Sequence, residues 1–579
     1  MAFGTVLENL STKKLVLLFA LFLGILLGCF LLGGLIAPNP SNVQNVLSTR
    51  CLDLTQKKRQ KWFYPRGSGR CQYVPDFEDK QLQTMRTTSN QIVFAFQLPL
   101  PKDGIQLKFS RWFQNLISVL ALEVEYQEKL QVKPGAMLTL DARIGYRNEG
   151  DGDGDWKELA SATVVRPLEC FIDDDKRIEG YHYNCSLLTF FELGSCHHHY
   201  YLINVRVPVY AKTNQNTDIG ALKNLWLTVI NQNGGFTKVW VSMKTVMFPI
   251  VLVVLIWFWR RVREEERPAS FLEKSIMALG IGNTLLNVPL EWFTLAADMS
   301  WNLIITDVRQ GVFYTILLAF WLIYLGEHYM ETSVNKTHDV MTYWRHLTAV
   351  GVASLAMLLF ELCERGVQLT NPFYSIWETE TGANVAYGFI ILALVVAVFY
   401  LAFLFYMVVC VMRRVSGKRA QLPSMRSATR RLYYQGLIYR FQVVLLVTVI
   451  CATFTVVFFF LSQLSEGSWR WEESNLSIEY TSAFYTGVYG MWNVYTLLVL
   501  SLYAPSRKNK STMGHLTITV NPEDEDEGET IEFQRLNGGA VGGGSEADCA
   551  NGAKKTVTRV FPAEQQASVF TAFMNKEKE

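Results

Sequence analysis

Eight apolar segments recur along this chain, and they constrain its fold more than any other feature. A helix needs about 20 residues to cross the roughly 30 Å hydrocarbon core of a bilayer. The segments are residues 15–37, 239–259, 275–295, 311–325, 347–362, 383–412, 441–461 and 482–503. The fourth and fifth are short and interrupted by polar residues. The pattern predicts a membrane protein with eight transmembrane helices.

The first segment has two readings, a retained anchor or a cleaved signal peptide. It follows Lys13 and Lys14, and it is longer than the 7–15-residue apolar core of a signal peptide. No A-x-A cleavage site follows it. We therefore expect a retained anchor helix at 15–37, followed after a long soluble segment by a receptor-like seven-helix bundle at 239–504.

Lysine and arginine are concentrated in alternate connections, which orients the chain because the basic side of a membrane protein faces the cytosol. Both termini are then cytosolic, and residues 38–238 are lumenal or extracellular. The N-terminus is 1–14. The tail, 505–579, is acidic and glycine-rich with little apolar content, so we predict disorder. The basic connections contain Arg260, Arg261, Arg263, Arg267 and Lys274, and Arg413, Arg414, Lys418, Arg419, Arg426, Arg430, Arg431 and Arg440.

Five cysteines fall in segment 38–238, where the predicted compartment permits disulfides. We expect the local pairs Cys51–Cys71 and Cys170–Cys185, although sequence alone does not fix connectivity. The fifth, Cys196, is then a free thiol. Two glycosylation sequons lie on the same side of the membrane, at Asn184 and, close to a membrane entry, at Asn475.

The segment 38–238 has the period-two alternation of half-buried strands. LTLDARIGY (138–146) and INVRVPV (203–209) each place alternate apolar residues on one face, Leu138 to Tyr146 and Ile203 to Val209, and IVFAFQL (92–98) alternates with less consistent partners. The turn-forming stretches KPG, NEGDGDGD and NQNGG separate the strands. We expect an antiparallel β-sandwich, which makes the chain an α+β membrane protein. Residues 112–122 fit a strand or a helix.

The sequence contains no recognised catalytic or metal-binding motif. G-x-S-x-G, Walker and H-E-x-x-H patterns are absent. DGDGDW (151–156) has Trp156 and Ala162 where a calcium loop needs glycine and glutamate. The histidines of CHHHY (196–200) are consecutive, so on a strand they point to opposite faces. The net charge of +2 gives no signal for nucleic acid. We predict no enzyme, metal or cofactor.

Ionisable residues cluster toward the lumenal ends of the bundle segments. Such groups are costly in lipid and usually face a bundle interior or water. We interpret them as the rim of a ligand cavity, and the alternative is interfacial solvation with arginine reaching the headgroups. Glu361 and Arg365 are four residues apart and can pair on one helix face. Arg365 could also reach Glu291, Asp298 or Asp307. The candidate rim contains Glu291, Asp307, Arg309, Glu361, Glu364 and Arg365.

The stretch CERGVQLTNPFYSIW (363–377) closes the fifth apolar segment. Pro372 prevents the helix from continuing. The aromatic residues Phe373, Tyr374 and Trp377 suit a lipid-lined lip of the cavity, so we add them to the candidate rim. An ordinary interfacial aromatic belt is the alternative.

On the predicted cytosolic side, the stretch YQGL has the pattern tyrosine, two residues, bulky apolar residue. Clathrin adaptors read this pattern in extended form. Its position beside the membrane indicates an endocytic motif at Tyr434 and Leu437, and chance occurrence is the alternative.

Seven stretches within the first 505 residues resemble the Wntless family, in an insect-like version. CERGVQLTNPFYSIW is the most specific of them, because no common motif explains fifteen such residues. Cys196 and the triple histidine depart from the family pattern. The other stretches are STKKL (11–15), GGLIAP (33–38), QNGGFTKVW (232–240), EWF (291–293), DVRQGVFY (307–314) and FYTGVYGMWNVY (484–495).

The resemblance implies a carrier that takes palmitoleoylated Wnt proteins through the endoplasmic reticulum and Golgi to the cell surface. It implies an acyl-chain cavity in a bundle resembling a G-protein-coupled receptor. It also implies return through endosomes by clathrin adaptors and retromer, with Tyr434 and Leu437 matching the endocytic motif. The alternatives are a seven-helix signalling receptor with an added anchor and a membrane enzyme acting on lipid.

Overall fold

The structure is a computed structural model that describes residues 5–53, 61–67, 69–74, 89–102, 105–265, 267–330, 340–376, 379–424, 428–470 and 482–506. Within these ranges two N-terminal helices come first in the chain, a β-rich domain follows, and a set of mostly long helices comes last. Trp377, Asn475 and nearly all of the predicted tail lie outside the described residues.

The β-rich domain is built from antiparallel strands. Their bounds are β1 (Ser41–Leu47), β2 (Thr49–Leu52), β3 (Ile92–Leu98), β4 (Gln114–Glu125), β5 (Met137–Arg147), β6 (Lys157–Pro167), β7 (Cys170–Phe171), β8 (Asn184–Cys185), β9 (Leu188–Ser195), β10 (Tyr200–Arg206) and β11 (Ala221–Gln232).

Two larger sheets share one hydrophobic core. One has the strand order β1-β11-β4-β9 and the other β2-β3-β10-β5-β6, while β7 and β8 form a small separate ladder. Leu120 and Leu227 of the first sheet and Ile144 and Ile203 of the second are fully buried in the same cluster. The domain is therefore sandwich-like, as the sequence predicted. Residues 112–122, whose sequence fits a strand or a helix, run into β4, which pairs with β11 and β9.

Strand β5 follows the predicted alternation from Leu138 to Ile144, but a register shift between Ile144 and Gly145 ends it, so Tyr146 is only half-buried. Strands β3 and β10 are buried on both faces. A polar layer covers their outer side. The backbone N–H of Tyr64 donates to Asn204 Oδ1 at 2.7 Å, and Arg206 Nη2 lies 2.6 Å from Asp53 Oδ2. The alternation is weak in these two strands because neither face is left to solvent.

The two disulfides are the local pairs that the sequence predicted. Cys51–Cys71 ties the covering layer to β2, and Cys170–Cys185 joins β7 to β8. Cys196 is a free thiol and is buried. Its burial raises the pKa of the thiol to about 12, so it stays protonated and unreactive at neutral pH.

The remaining elements are helices. Their bounds are α1 (Val6–Asn9), α2 (Thr12–Leu31), α3 (Gly234–Arg263), α4 (Phe271–Asn287), α5 (Glu291–Ala296), α6 (Asn302–Met330), α7 (Val340–Gln368), α8 (Glu380–Gln421), α9 (Ala428–Arg470) and α10 (Ser482–Leu502).

A helix occurs at each predicted span, but among the described residues only six are long and apolar enough to cross a membrane. These are residues 12–36, 234–263, 302–329, 343–368, 381–420 and 434–457. Helix α4 has 17 residues, and α10 has 21, most of them buried. The predicted count of eight is therefore not confirmed.

The third predicted span, 275–295, is not one continuous helix. Helix α4 ends at Asn287, and the short helix α5 begins at Glu291. Pro289 lies in the break, and proline disfavours helical conformation in the residue before it. The break directs Glu291 into the bundle.

Candidate ligand-binding junction and membrane face

The loop between α7 and α8 inserts Phe373 into the sandwich. The Phe373 side chain is 2% exposed and belongs to the sandwich core. Its ring meets those of Phe190 and Phe191 at centroid distances of 5.5 and 6.0 Å, both close to edge-on. A side chain that the sequence suggested for a membrane lip thus fastens the bundle to the sandwich.

Hydrogen bonds hold the same loop against strand β9. The backbone N–H of Glu192 donates to the carbonyl of Pro372 at 2.9 Å. Arg166 Nη2 donates to the carbonyl of Phe373 at 2.8 Å, and Arg166 Nε donates to Thr189 O at 2.8 Å. The loop therefore engages the outer edge of β9, where a backbone donor would otherwise be unpaired.

Arg365 joins three elements at this junction. Its Nη1 makes a close ion pair with Glu192 of the sandwich. Its Nε lies 3.9 Å from Asp307 Oδ2 of α6 and 3.9 Å from Glu361 Oε2 on its own helix. Two of the expected partners, Asp307 and Glu361, are therefore nearby. Sequence reasoning missed Glu192, for which no local signal existed.

Glu291 and Arg309 lie inside the bundle rather than on an open rim. Glu291 is 4% exposed and makes a close ion pair with Lys244 of α3, which is 3% exposed. Arg309 Nη2 lies 3.8 Å from Glu291 Oε1, and Arg309 Nη1 donates to Val288 O at 2.6 Å. Two cations and one carboxylate thus share a buried site. Lys244 was missed, although a lysine within an apolar segment is itself a signal.

A second set of contacts joins the sandwich to the segment between α5 and α6. His197 Nε2 lies 2.7 Å from Asp298 Oδ1, so Asp298 pairs here and not with Arg365. Arg111 Nη1 donates to the carbonyls of Leu295 and Ala296 at 2.9 and 3.0 Å. Burial lowers the pKa of His197, an effect that Asp298 opposes. Within the described residues these contacts form a second attachment of the sandwich to the bundle.

The other rim candidates sit near the Arg365 contact. Glu364 is half-buried on α7. Tyr374 is also half-buried, and its carbonyl accepts a hydrogen bond from Gln368 Nε2 at 3.3 Å. Tyr374 therefore lies in the loop that carries Phe373, and Glu364 lies next to Arg365 in the sequence of α7.

The candidate modification and sorting residues lie elsewhere. Asn184 is exposed at the start of β8, as a glycan acceptor must be. Tyr434 and Leu437 lie in helix α9 and are half-buried. They are helical here, whereas the sequence interpretation requires an extended segment.

Helix α8 is packed against the bundle mainly through its C-terminal half. Tyr400 donates from its hydroxyl to Leu318 O at 2.9 Å, and Leu404, Val411 and Val415 are buried. The half nearer the junction is different. Between residues 381 and 399 only Ala386 is buried.

That half of α8 presents a long apolar face. The exposed side chains include Val385, Ile391, Val395, Val398 and Phe399. Its inner contact is with α7, where Phe389 meets Phe360 at 5.9 Å. The face begins directly after the loop that carries Phe373. An apolar surface of this kind suits lipid or an acyl chain, and among the described residues no histidine, cysteine and carboxylate cluster suits a metal.

Two family models match this chain and together cover most of it. One, described as the GOLD domain of Wntless, matches residues 49–232, which contain the sandwich. The other, described as the Wntless-like transmembrane domain, matches residues 233–507.

Similar proteins carry the same name. "Protein wntless" of Drosophila grimshawi is 44% identical over 543 residues, which are 92% of this chain and 96% of that protein. "Protein wntless homolog" of Gallus gallus is 43% identical over 509 residues, and that of Homo sapiens is 42% identical over 509 residues. In both cases the match covers 87% of this chain and 92% of the relative.

Proposed function

The chain belongs to the Wntless family, and we propose that it binds palmitoleoylated Wnt proteins and carries them through the secretory pathway to the cell surface. Family membership gives it a role in Wnt secretion and makes it a carrier rather than an enzyme. The observation that carries the finer proposal is the apolar face on the junction half of α8, directly beside a sandwich fastened to the same bundle.

The physics of a lipidated cargo favours this arrangement. Burying an acyl chain gains about 0.8 kcal/mol for each CH₂ group. A secreted acylated protein therefore stays on membranes or aggregates unless its chain is sheltered. A face that contacts lipid and lies next to a folded lumenal domain can hold the chain while the domain contacts the protein part.

The contact between the sandwich and the bundle supports separate roles for the two parts, with α8 binding the acyl chain and the sandwich binding the protein part of the ligand. Burial of the acyl chain supplies affinity that does not depend on the amino-acid sequence of the Wnt protein. The sandwich surface supplies protein contacts that do depend on that sequence. Phe373 and Arg365 link the two parts at the start of the α8 face. The distance between a bound chain and the sandwich is then fixed rather than set by a flexible tether.

We expect the purified full-length chain to recover wild-type Wnt and to recover little of a Wnt whose acylated serine is replaced. Co-purification from cells that express both proteins at matched levels measures this. Equal recovery of the two Wnt forms would contradict an acyl-dependent mode of binding.

A matched pair of variants tests the proposed face. Phe399 and Phe405 lie on the same helix and are each 71% exposed, but only Phe399 belongs to the junction half. Phe399→Ala should lower recovery of acylated Wnt, and Phe405→Ala should not. Equal losses would point to a general effect on α8.

We further propose that the carrier cycles between the endoplasmic reticulum, Golgi, plasma membrane and endosomes, with both termini cytosolic. Clathrin adaptors and retromer are the partners that the family resemblance implies. The helical position of Tyr434 and Leu437 adds a condition, because the beginning of α9 must unwind before an adaptor can read the motif in extended form.

The variant Tyr434→Ala is expected to accumulate at the cell surface, since the adaptor would lose its anchoring side chain. Antibody uptake and surface biotinylation measure the rate of internalisation and the surface level. Tyr433→Ala, one residue away, is the matched control. If Tyr434→Ala and Tyr433→Ala are internalised at the wild-type rate, the motif is a coincidence of sequence.

A further inference from the structure

The end of helix α3 that the basic residues assign to the cytosol carries a shallow, open groove of about 310 Å³. Trp259, Arg260, Arg263 and Glu264 line it. The groove is distant in sequence from the junction and from the apolar face of α8, and neither of the proposed roles uses it. We propose that it binds the headgroup of a phospholipid with one net negative charge in the cytosolic leaflet.

Three arginines in this last turn contact aromatic faces or line the groove. The guanidinium of Arg263 lies 5.1 Å from the ring centroid of Trp259, and that of Arg261 lies 5.3 Å from that of Trp257. Arg260 lines the groove. Among the described residues none of the three has a carboxylate within ion-pair distance. Their charge is therefore available to a phosphate, which guanidinium groups bind bidentately.

Arg267, four residues farther on, has a different role. Its Nη1 and Nη2 lie 3.1 and 2.7 Å from the two carboxylate oxygens of Glu273. Glu273 also closes the capping box of α4 with Ser270. Arg267 is thus occupied in starting the next helix, and the groove depends on the arginines of α3 alone.

An exposed apolar stripe leads along α3 to the groove. Val246, Ile250, Val253 and Trp257 are exposed, and their spacing of three or four residues places them on one helix face. Arg260 continues the same spacing. The opposite side of α3 is packed in the bundle, where Val251 and Phe258 are fully buried. An apolar stripe that can contact an acyl chain and that ends at a cationic site for a headgroup is complementary to a phospholipid.

The charges of the groove narrow the choice of headgroup. Trp259 suits the headgroup level of a bilayer, where tryptophan is enriched. Glu264 lines the groove beside the two arginines and disfavours a headgroup of high negative charge. The helix C-terminus adds partial negative charge of the same sign. A single phosphodiester with one net negative charge therefore fits better than a polyphosphorylated headgroup.

The test uses the full-length chain purified in detergent and a dioctanoyl phosphatidylserine probe, with binding followed by microscale thermophoresis. Replacing both arginines, Arg260→Gln with Arg263→Gln, should weaken binding on the order of tenfold or more, because each arginine near the membrane surface contributes about fivefold. Dioctanoyl phosphatidylcholine, which has the same phosphate and no net charge, should bind more weakly than phosphatidylserine.

Arg345→Gln is the matched control. Arg345 lies over Trp344 at 5.7 Å near the beginning of α7, on the same side of the membrane, but it does not line the groove. Its replacement should leave binding unchanged. The proposal is overturned if Arg345→Gln weakens binding as much as the double variant, or if phosphatidylcholine binds equally well. It is also overturned if inorganic phosphate competes as well as the lipid, since the site would then bind any phosphate.

Discussion

Replacing Phe373 with alanine is expected to open the contact between the sandwich and the bundle while both parts remain folded. The ring fills space in the sandwich core, and removing a buried phenylalanine side chain costs about 3–5 kcal/mol. Strand β9 should respond first, because Glu192 of β9 bonds to the neighbouring Pro372. Amide hydrogen exchange in β9 should become faster by roughly two orders of magnitude or more.

Hydrogen exchange with mass spectrometry on the full-length chain measures this effect by segment. Phe373→Leu is the control for volume, and it should lie much closer to wild type because most of the apolar contact remains. Tyr374→Ala, at the half-buried neighbouring position, should have a small effect. If β9 in the Phe373→Ala variant exchanges its amide hydrogens at the wild-type rate, the ring does not hold the sandwich against the bundle.

The consequence for cargo follows from the same contact. If the sandwich is free to move relative to α8, a ligand that contacts both parts must restrict that motion when it binds. The entropy lost on binding then increases, so affinity falls even though no ligand-contacting residue has changed. We therefore expect cells that express Phe373→Ala to secrete less Wnt than cells that express Phe373→Leu.

The sandwich was predictable from sequence where one side of a strand faces the core. Strand β5 has one face toward the core, so its side chains alternate and the period can be read directly. Strand β10 is covered on both sides, by the core and by residues 61–67, so Asn204 and Arg206 interrupt the pattern without being exposed. Alternation of apolar and polar residues arises when one face of a strand is exposed to solvent. A strand that is buried on both faces therefore does not need to alternate.

The junction was only partly predictable for a related reason. The pairing of Glu361 with Arg365 follows from helix spacing alone, and the structure has these groups 3.9 Å apart. The contact of Arg365 with Glu192 joins residues 173 positions apart, and nothing local specifies it. For Phe373 the sequence predicts a membrane lip, because aromatic residues after a span usually lie at the interface. Only the tertiary structure reveals that a strand edge lies over this loop.

The second large effect is expected at the buried charges of α3, α5 and α6. Glu291→Gln keeps the shape of the side chain and removes its charge, which leaves Lys244 and Arg309 as two buried cations without a counter-ion. Breaking a buried ion pair in this way costs about 3–5 kcal/mol. The variant should unfold at a lower temperature in detergent and should be retained with immature glycans.

Lys244→Met provides the internal comparison, because the site holds two cations and only one carboxylate. Removing one cation leaves Glu291 with Arg309 at 3.8 Å, so the site keeps one charge of each sign. The unbranched methionine side chain can also fill the space of the lysine stem in α3. Thermal unfolding of both variants should therefore rank Glu291→Gln as clearly more damaging than Lys244→Met. The reverse order would mean that Arg309 does not compensate Glu291, and the carboxylate would then be held by Lys244 alone.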